Sequence, residues 1–304
     1  MTVGFEALRE QGRATESLAF ILPSLLIMKC LQLLLSVLVG CTIGSPLLGA
    51  FQGTPGIPPG EEQARERLNS SPRHGEWVTV KDGEDEIKSW LVYPERSDKA
   101  PVVVVIHEIF GLTDWIRSVA DQLAADGFIA IAPDLLSGKG PNGGGTESVD
   151  RDGAVGLIRG LEHEEVFRRL NAVAKHATSL PAALPSYGVV GFCWGGAISF
   201  AYATEQPALK AAVVYYGTSP DTASLSRIQA PVLGLYGGDD ARVNSTVPPA
   251  DAEMKRLNKR FEHETFEGAG HGFLRAQSGR EGANARAAEK AWRRTIEFFK
   301  AELK

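Results

Sequence analysis

From Glu76 to the C-terminus the sequence switches repeatedly between two hydrophobic periods. Short β-branched runs alternate with longer stretches whose apolar residues recur three or four positions apart. The sharpest run is Pro101 to His107, PVVVVIH, an unbroken apolar stretch of the kind found in a strand buried on both faces. Trp115 to Asp126 follows, with Trp115, Ile116, Val119 and Leu123 at helical spacing and Gly127 to end it. Further strands are expected at 77–80, 87–94, 128–133, 187–192, 211–217, 231–238 and 261–268. Helices are expected at 161–177, 194–204, 248–259 and 283–303. Such alternation builds a mostly parallel sheet with helices on both faces, an α/β architecture. The first two strands should pair as a hairpin around Asp82-Gly83. Ligands then bind beyond the carboxyl ends of the strands, so the loops after His107, Pro133, Phe192, Gly217, Gly238 and Gly268 are where chemistry is expected.

Those loops carry nucleophile, acid and base in that chain order. Gly191-Phe192-Cys193-Trp194-Gly195 has the form of a nucleophile elbow, a sharp strand-to-helix turn with glycines on either side for clearance. A lone buried cysteine is more often inert packing. At this turn it stands at a helix N-terminus, where the backbone N–H groups are expected to lower the thiol pKa. His271, in Gly270-His271-Gly272-Phe273 after the last strand, is the candidate base. Asp240 is the candidate orienting acid, in preference to Asp239, which suits a turn cap. The glycine-rich loop SGKGPNGGG (137–145) lacks the GK[ST] ending of a phosphate loop and reads as a flexible surface loop near the site.

Ahead of the domain the composition changes. Residues 18–40 are apolar, but residues 1–17 are acidic on balance, a poor flank for an export signal. Reading from Met28 gives Lys29, a short apolar run and Leu38-Val39-Gly40-Cys41, which resembles a bacterial lipobox with Cys41 as the lipidation candidate. Residues 1–45 are therefore read as a signal or lipoprotein-type segment with Met28 as its true start, 46–75 as a linker and 76–304 as the catalytic domain. The protein is expected to be exported, either periplasmic or lipid-anchored to a membrane, with a cytoplasmic location as the alternative. Cys193 is the only cysteine of the domain, so no disulfide forms within it. No run of five basic residues occurs and the net charge is −5, which argues against a nucleic-acid partner. Neither CxxC nor HExxH is present, so no metal or cofactor is expected.

Four separated motifs resemble the dienelactone hydrolase family of α/β-hydrolases: His107-Glu108-Ile109-Phe110-Gly111, Ala132-Pro133-Asp134-Leu135, Gly191 to Gly196, and Gly270 to Phe273 with Arg275. The resemblance covers about Glu76 to Leu303. It implies an α/β-hydrolase fold and hydrolysis of a small-molecule ester or lactone through an acyl-enzyme on Cys193. It also implies an oxyanion hole from the backbone N–H groups of Ile109 and Trp194, and a Glu108 that contacts the resting thiol. His107 reads as a packed strand-end residue. One departure stands out: where members acting on dienelactone place a second arginine after Pro-Asp-Leu, this chain has Leu136-Ser137-Gly138-Lys139. Arg275 is then the only cationic clamp left, which weakens the case for a carboxylated lactone. Acyl transfer, thioester or amide cleavage, and a non-catalytic scaffold remain as alternatives. A monomer is expected.

Overall fold

The computed structural model describes residues 56–304. Cys41 and the rest of the N-terminal segment lie outside the described residues. Eight strands form one sheet: β1 (Gly75–Asp82), β2 (Asp85–Val92), β3 (Ala100–Ile106), β4 (Ile129–Pro133), β5 (Ala183–Phe192), β6 (Ala211–Tyr215), β7 (Val232–Gly237) and β8 (Phe261–Phe266). Their order is β1-β2-β4-β3-β5-β6-β7-β8. β1 and β2 pair antiparallel, β2 meets β4 antiparallel, and from β4 to β8 every pairing is parallel. The hairpin turns as expected at Asp82, with Gly83 at φ 60 in the first of two loop positions, as a type II′ turn requires.

β3 sits inside the sheet, and its residues divide between two cores. Val103 and Val105 belong to one, with Trp115, Ile116, Val119 and Leu123 of α2 (Asp114–Ala125) and Trp292 and Phe299 of α8 (Ala283–Glu302). Val102, Val104 and Ile106 belong to the other. There they meet Val166 and Leu170 of α4 (His163–Thr178), Ile198 and Phe200 of α5 (Trp194–Ala203), and Met254 of α7 (Val247–Arg256). The strand's period of two thus separates the cores, which is why β3, Ala100–Ile106, carries no polar residue. α2 is capped by Thr113, whose side chain accepts from the Ile116 N–H, and is followed by Gly127 at φ 102.

Three stretches differ from the sequence reading, two of them within the domain. A helix, α3 (Arg151–Arg159), precedes α4, with Asp150 capping it by accepting from the Gly153 N–H. The glycine-rich loop is held rather than loose. Asp134 accepts from the backbone N–H groups of Leu136 (3.0 Å) and Thr146 (2.7 Å) and from the Thr146 hydroxyl (2.7 Å). The Thr146 hydroxyl in turn accepts from the Leu112 N–H at 3.0 Å.

The stretch read as a linker is docked from residue 58 onward. Trp115 Nε1–H donates to the Pro59 carbonyl at 3.1 Å and Gln277 Nε2–H to that of Pro58 at 2.8 Å. Ala64, the first residue of α1 (Ala64–Ser70), is buried in the first core. Arg73 forks onto Asp121 of α2 at 3.0 and 2.5 Å, in a nearly buried pair. Part of the polar composition here serves contacts to the domain, while Glu62, Gln63, Arg65 and Glu66 face solvent.

Candidate active site

Cys193 stands between β5 and α5 at φ 55, ψ −115. A non-glycine residue held there carries on the order of 1–3 kcal/mol of strain. Close backbone approach holds it there. A methyl group on Gly191 would lie 1.8 Å from the Gly195 carbonyl oxygen. One on Gly195 would lie 2.3 Å from the His107 carbonyl oxygen and 2.4 Å from that of Ile106. The Cys193 N–H donates to Tyr215 in β6 at 3.0 Å, and its carbonyl accepts from Ala197 in α5 at 3.1 Å. Sheet and helix therefore fix the turn from both sides.

The thiol runs against one expectation. Burial, then the charge of Glu108, push Cys193 up to about 11, although the Trp194 backbone N–H pulls the other way. The helix start favours a thiolate, as the sequence suggests, but desolvation and a neighbouring carboxylate outweigh it. The resting thiol is protonated at neutral pH.

Glu108 is buried just past the end of β3. Burial raises its carboxyl to about 7 against the pull of Arg275. Arg275 Nε lies 2.8 Å from Glu108 Oε2, yet Nε has no aligned acceptor, so this is a charge contact rather than a directed hydrogen bond. The same guanidinium pairs through Nη1 with Glu61, from the docked N-terminal stretch.

At the ends of β7 and β8, His271 Nδ1 meets Asp240 Oδ2 at 2.5 Å. A carboxylate partner places the proton on Nδ1 and leaves Nε2 as the basic atom. Asp240 is buried, whereas Asp239 turns away to Arg280 at 2.8 Å. The ring of Tyr216 packs edge-on against His271, with centroids 5.1 Å apart. Tyr216 was not singled out in the sequence. It sits at φ 41, fully buried, with no hydrogen-bond partner for its hydroxyl among the described residues. Its neighbour Tyr215 is bonded to Thr295 at 2.7 Å, and nothing in the sequence distinguishes the two tyrosines.

The remaining motif residues have structural partners. His107 is buried and stacked on Trp194 at 5.5 Å, donating from Nδ1 to the Glu108 carbonyl (2.8 Å) and accepting at Nε2 from the Leu135 N–H (3.2 Å). Burial lowers its pKa, so it stays neutral. Ile109 packs beside Trp194 in a small third cluster, and among the described residues no backbone acceptor takes its N–H. Gly138 adopts φ 78 and lacks a side chain, while Lys139 is drawn 2.6 Å from Glu165 in α4. Among the described residues, no group of three or more His, Cys, Asp or Glu is placed to hold a metal ion.

A mostly parallel eight-stranded sheet, with a strained cysteine at the strand-to-helix elbow, defines an α/β-hydrolase-type protein. The model of the dienelactone hydrolase family matches residues 87–303, and the chain belongs to that family. It is similar to an Escherichia coli (strain K12) protein named "putative carboxymethylenebutenolidase", at 34% identity over 230 residues, covering 71% of this chain and 83% of that one. Among solved structures it is similar to a "putative dienelactone hydrolase" of Klebsiella pneumoniae, with a TM-score of 0.67 and 28% identity, over 75% of this chain and 98% of that one. A second, from metagenomic libraries, is described as a dienelactone hydrolase-like promiscuous phosphotriesterase. It has a TM-score of 0.65 and 25% identity, over 76% of this chain and 99% of that one.

Proposed function

We propose that this chain hydrolyses esters or lactones through a Cys193–His271–Asp240 triad and an acyl-enzyme intermediate. The observation that carries the reading is Cys193, held in a strained backbone by glycine clearance, on a sheet that also presents a histidine bonded to a buried aspartate. Inert packing does not require that strain.

The steps follow from the groups at hand. The thiol must first lose its proton, and Glu108, at about 7, is a nearby acceptor whose own charge disfavours the thiolate until it is neutralised. The thiolate forms a C–S bond to the acyl carbon, and the carbonyl electrons move to oxygen. That oxygen is stabilised by the N–H groups of Ile109 and Trp194. The proton released by the thiol passes from Glu108 to His271 Nε2; collapse then breaks the ester C–O bond, and His271 hands that proton to the leaving oxygen. In a lactone that oxygen stays tethered as the new hydroxyl. His271 then takes a proton from water, which attacks the thioester and releases the acid while the sulfur regains its proton.

Cys193→Ala should lower kcat/KM on p-nitrophenyl butyrate and simple lactones by on the order of 10³ or more, with unchanged circular dichroism. Activity retained in that variant would refute the mechanism. We also propose export, with lipidation at Cys41; Lys29, the apolar run and the Leu38–Cys41 tetrapeptide support it. Mass spectrometry of the membrane fraction tests this, and an intact Met1 start in soluble protein would sink it.

A further inference from the structure

We infer that Glu61 is a specificity-determining residue: its carboxylate fills an anion subsite between Arg275 and Arg151, and so turns the active site away from acyl groups that carry a carboxylate of their own. This deepens the hydrolase reading and rests on it.

Both oxygens of Glu61 are engaged. Oε2 pairs with Nη1 of Arg275, the guanidinium that also faces Glu108, and Oε1 lies 3.2 Å from Nη1 of Arg151. The two arginines share an aromatic surface. The Arg151 Cζ lies 3.5 Å from the centroid of the Phe110 ring, and that of Arg275 lies 5.5 Å from it. Phe110 follows Glu108 and Ile109 in the loop after β3, so the pair borders the reactive centre. A second cation at this site is thus supplied by α3, while Lys139 is drawn to Glu165.

Glu61 is placed there by more than its charge. Its own N–H donates to the Arg275 carbonyl at 2.9 Å. The neighbouring bonds from Trp115 to Pro59 and from Gln277 to Pro58, with Ala64 buried behind, hold the backbone on both sides. Burial alone would raise the Glu61 carboxyl, but Arg275 and then Arg151 hold it below its ordinary value, so it is ionised at neutral pH. An incoming carboxylate that seeks Arg275 must therefore displace Glu61 or sit beside a like charge. A neutral acyl chain meets neither obstacle. Glu61 is 39% exposed, so solvent screens part of the effect, and about one decade in selectivity is expected rather than several.

The test compares p-nitrophenyl valerate with mono-p-nitrophenyl glutarate, esters with acyl chains of equal length that differ in a terminal carboxylate. The wild-type protein should favour the valerate ester. In Glu61→Gln the ratio of kcat/KM values should move about tenfold toward the glutarate ester, and adding Arg151→Gln should remove the gain. Calorimetric titration with free glutarate should show about tenfold tighter binding to Glu61→Gln than to wild type. Titration needs no turnover, so wild-type protein inert on both esters would overturn the hydrolase reading while the titration still decides the subsite. An N-terminal stretch merely loosened by the substitution would change both esters alike. An unmoved ratio together with unmoved glutarate affinity overturns the inference.

Discussion

The elbow at Cys193 and the charged cluster around Arg275 lie at the same end of the sheet but are held by different physics. At the elbow, backbone packs on backbone: β5, β6 and α5 close on Cys193, and Gly191 and Gly195 leave no room for a methyl group. The cluster is built from long side chains out of four separate stretches, Glu61, Glu108, Arg151 and Arg275. Steric closure of the first kind is short-ranged and intolerant of change. Charge balance of the second kind is longer-ranged and tolerates small shifts of its long side chains. The difference separates a rigid turn that fixes the Cys193 backbone from a cluster of long charged side chains beside it.

The largest effect should come from breaking the elbow. Gly195→Ala would set a methyl group against two carbonyl oxygens at once. It should destabilise by about 4 kcal/mol or more, lowering Tm by about 10 °C, and abolish ester hydrolysis. A melting curve like that of wild type would mean the elbow is less tightly closed than its geometry indicates.

The cluster should respond to pH instead. The Glu108 carboxyl lies at about 7 in the folded state against 4.5 for the ordinary group. Between those values the folded protein binds the extra proton, so Glu108 makes stability fall as pH rises from about 4.5 to 7. Glu108→Gln should remove a fall on the order of 1–3 kcal/mol, read as melting temperatures at pH values on either side of that window. Parallel pH profiles for the two proteins would show that Glu108 carries no such shift. The same variant lacks the charge that disfavours the Cys193 thiolate, so alkylation by iodoacetamide at mildly alkaline pH should quicken several-fold. The smallest effect belongs outside both regions. Lys139→Ala should change stability by less than about 1 kcal/mol and leave the preference between neutral and carboxylated esters where it was.

The two regions also differ in how far they could be read from the sequence. Unbroken β-branched runs such as Pro101 to His107 read as interior strands, and the mostly parallel character of the sheet follows from the alternation around them, whereas the strand order, with β4 between β2 and β3, does not. The elbow is equally local, since Gly191 to Gly195 states its own clearance. The bond between His271 and Asp240 needs only adjacent strands, β7 beside β8. The cluster is harder because its partners are remote: 214 residues separate Glu61 from Arg275. Polar, proline-rich composition around Glu61 looks the same whether its groups bond to solvent or to the domain. The direction of the thiol shift was illegible for a related reason. A helix N-terminus is visible in sequence, whereas the depth of burial and a neighbouring carboxylate are properties of the folded interior. Tyr216 and the Asp134 contacts likewise emerge only once the loops are in place.

The match to the family model begins at residue 87, downstream of Glu61. If the reactive machinery lies in the shared part and selectivity in a stretch outside it, the two can be exchanged as modules. Residues 56–75 then become a graft: carried onto the amino end of another member whose arginine is open, they would transfer a preference without touching a reacting atom.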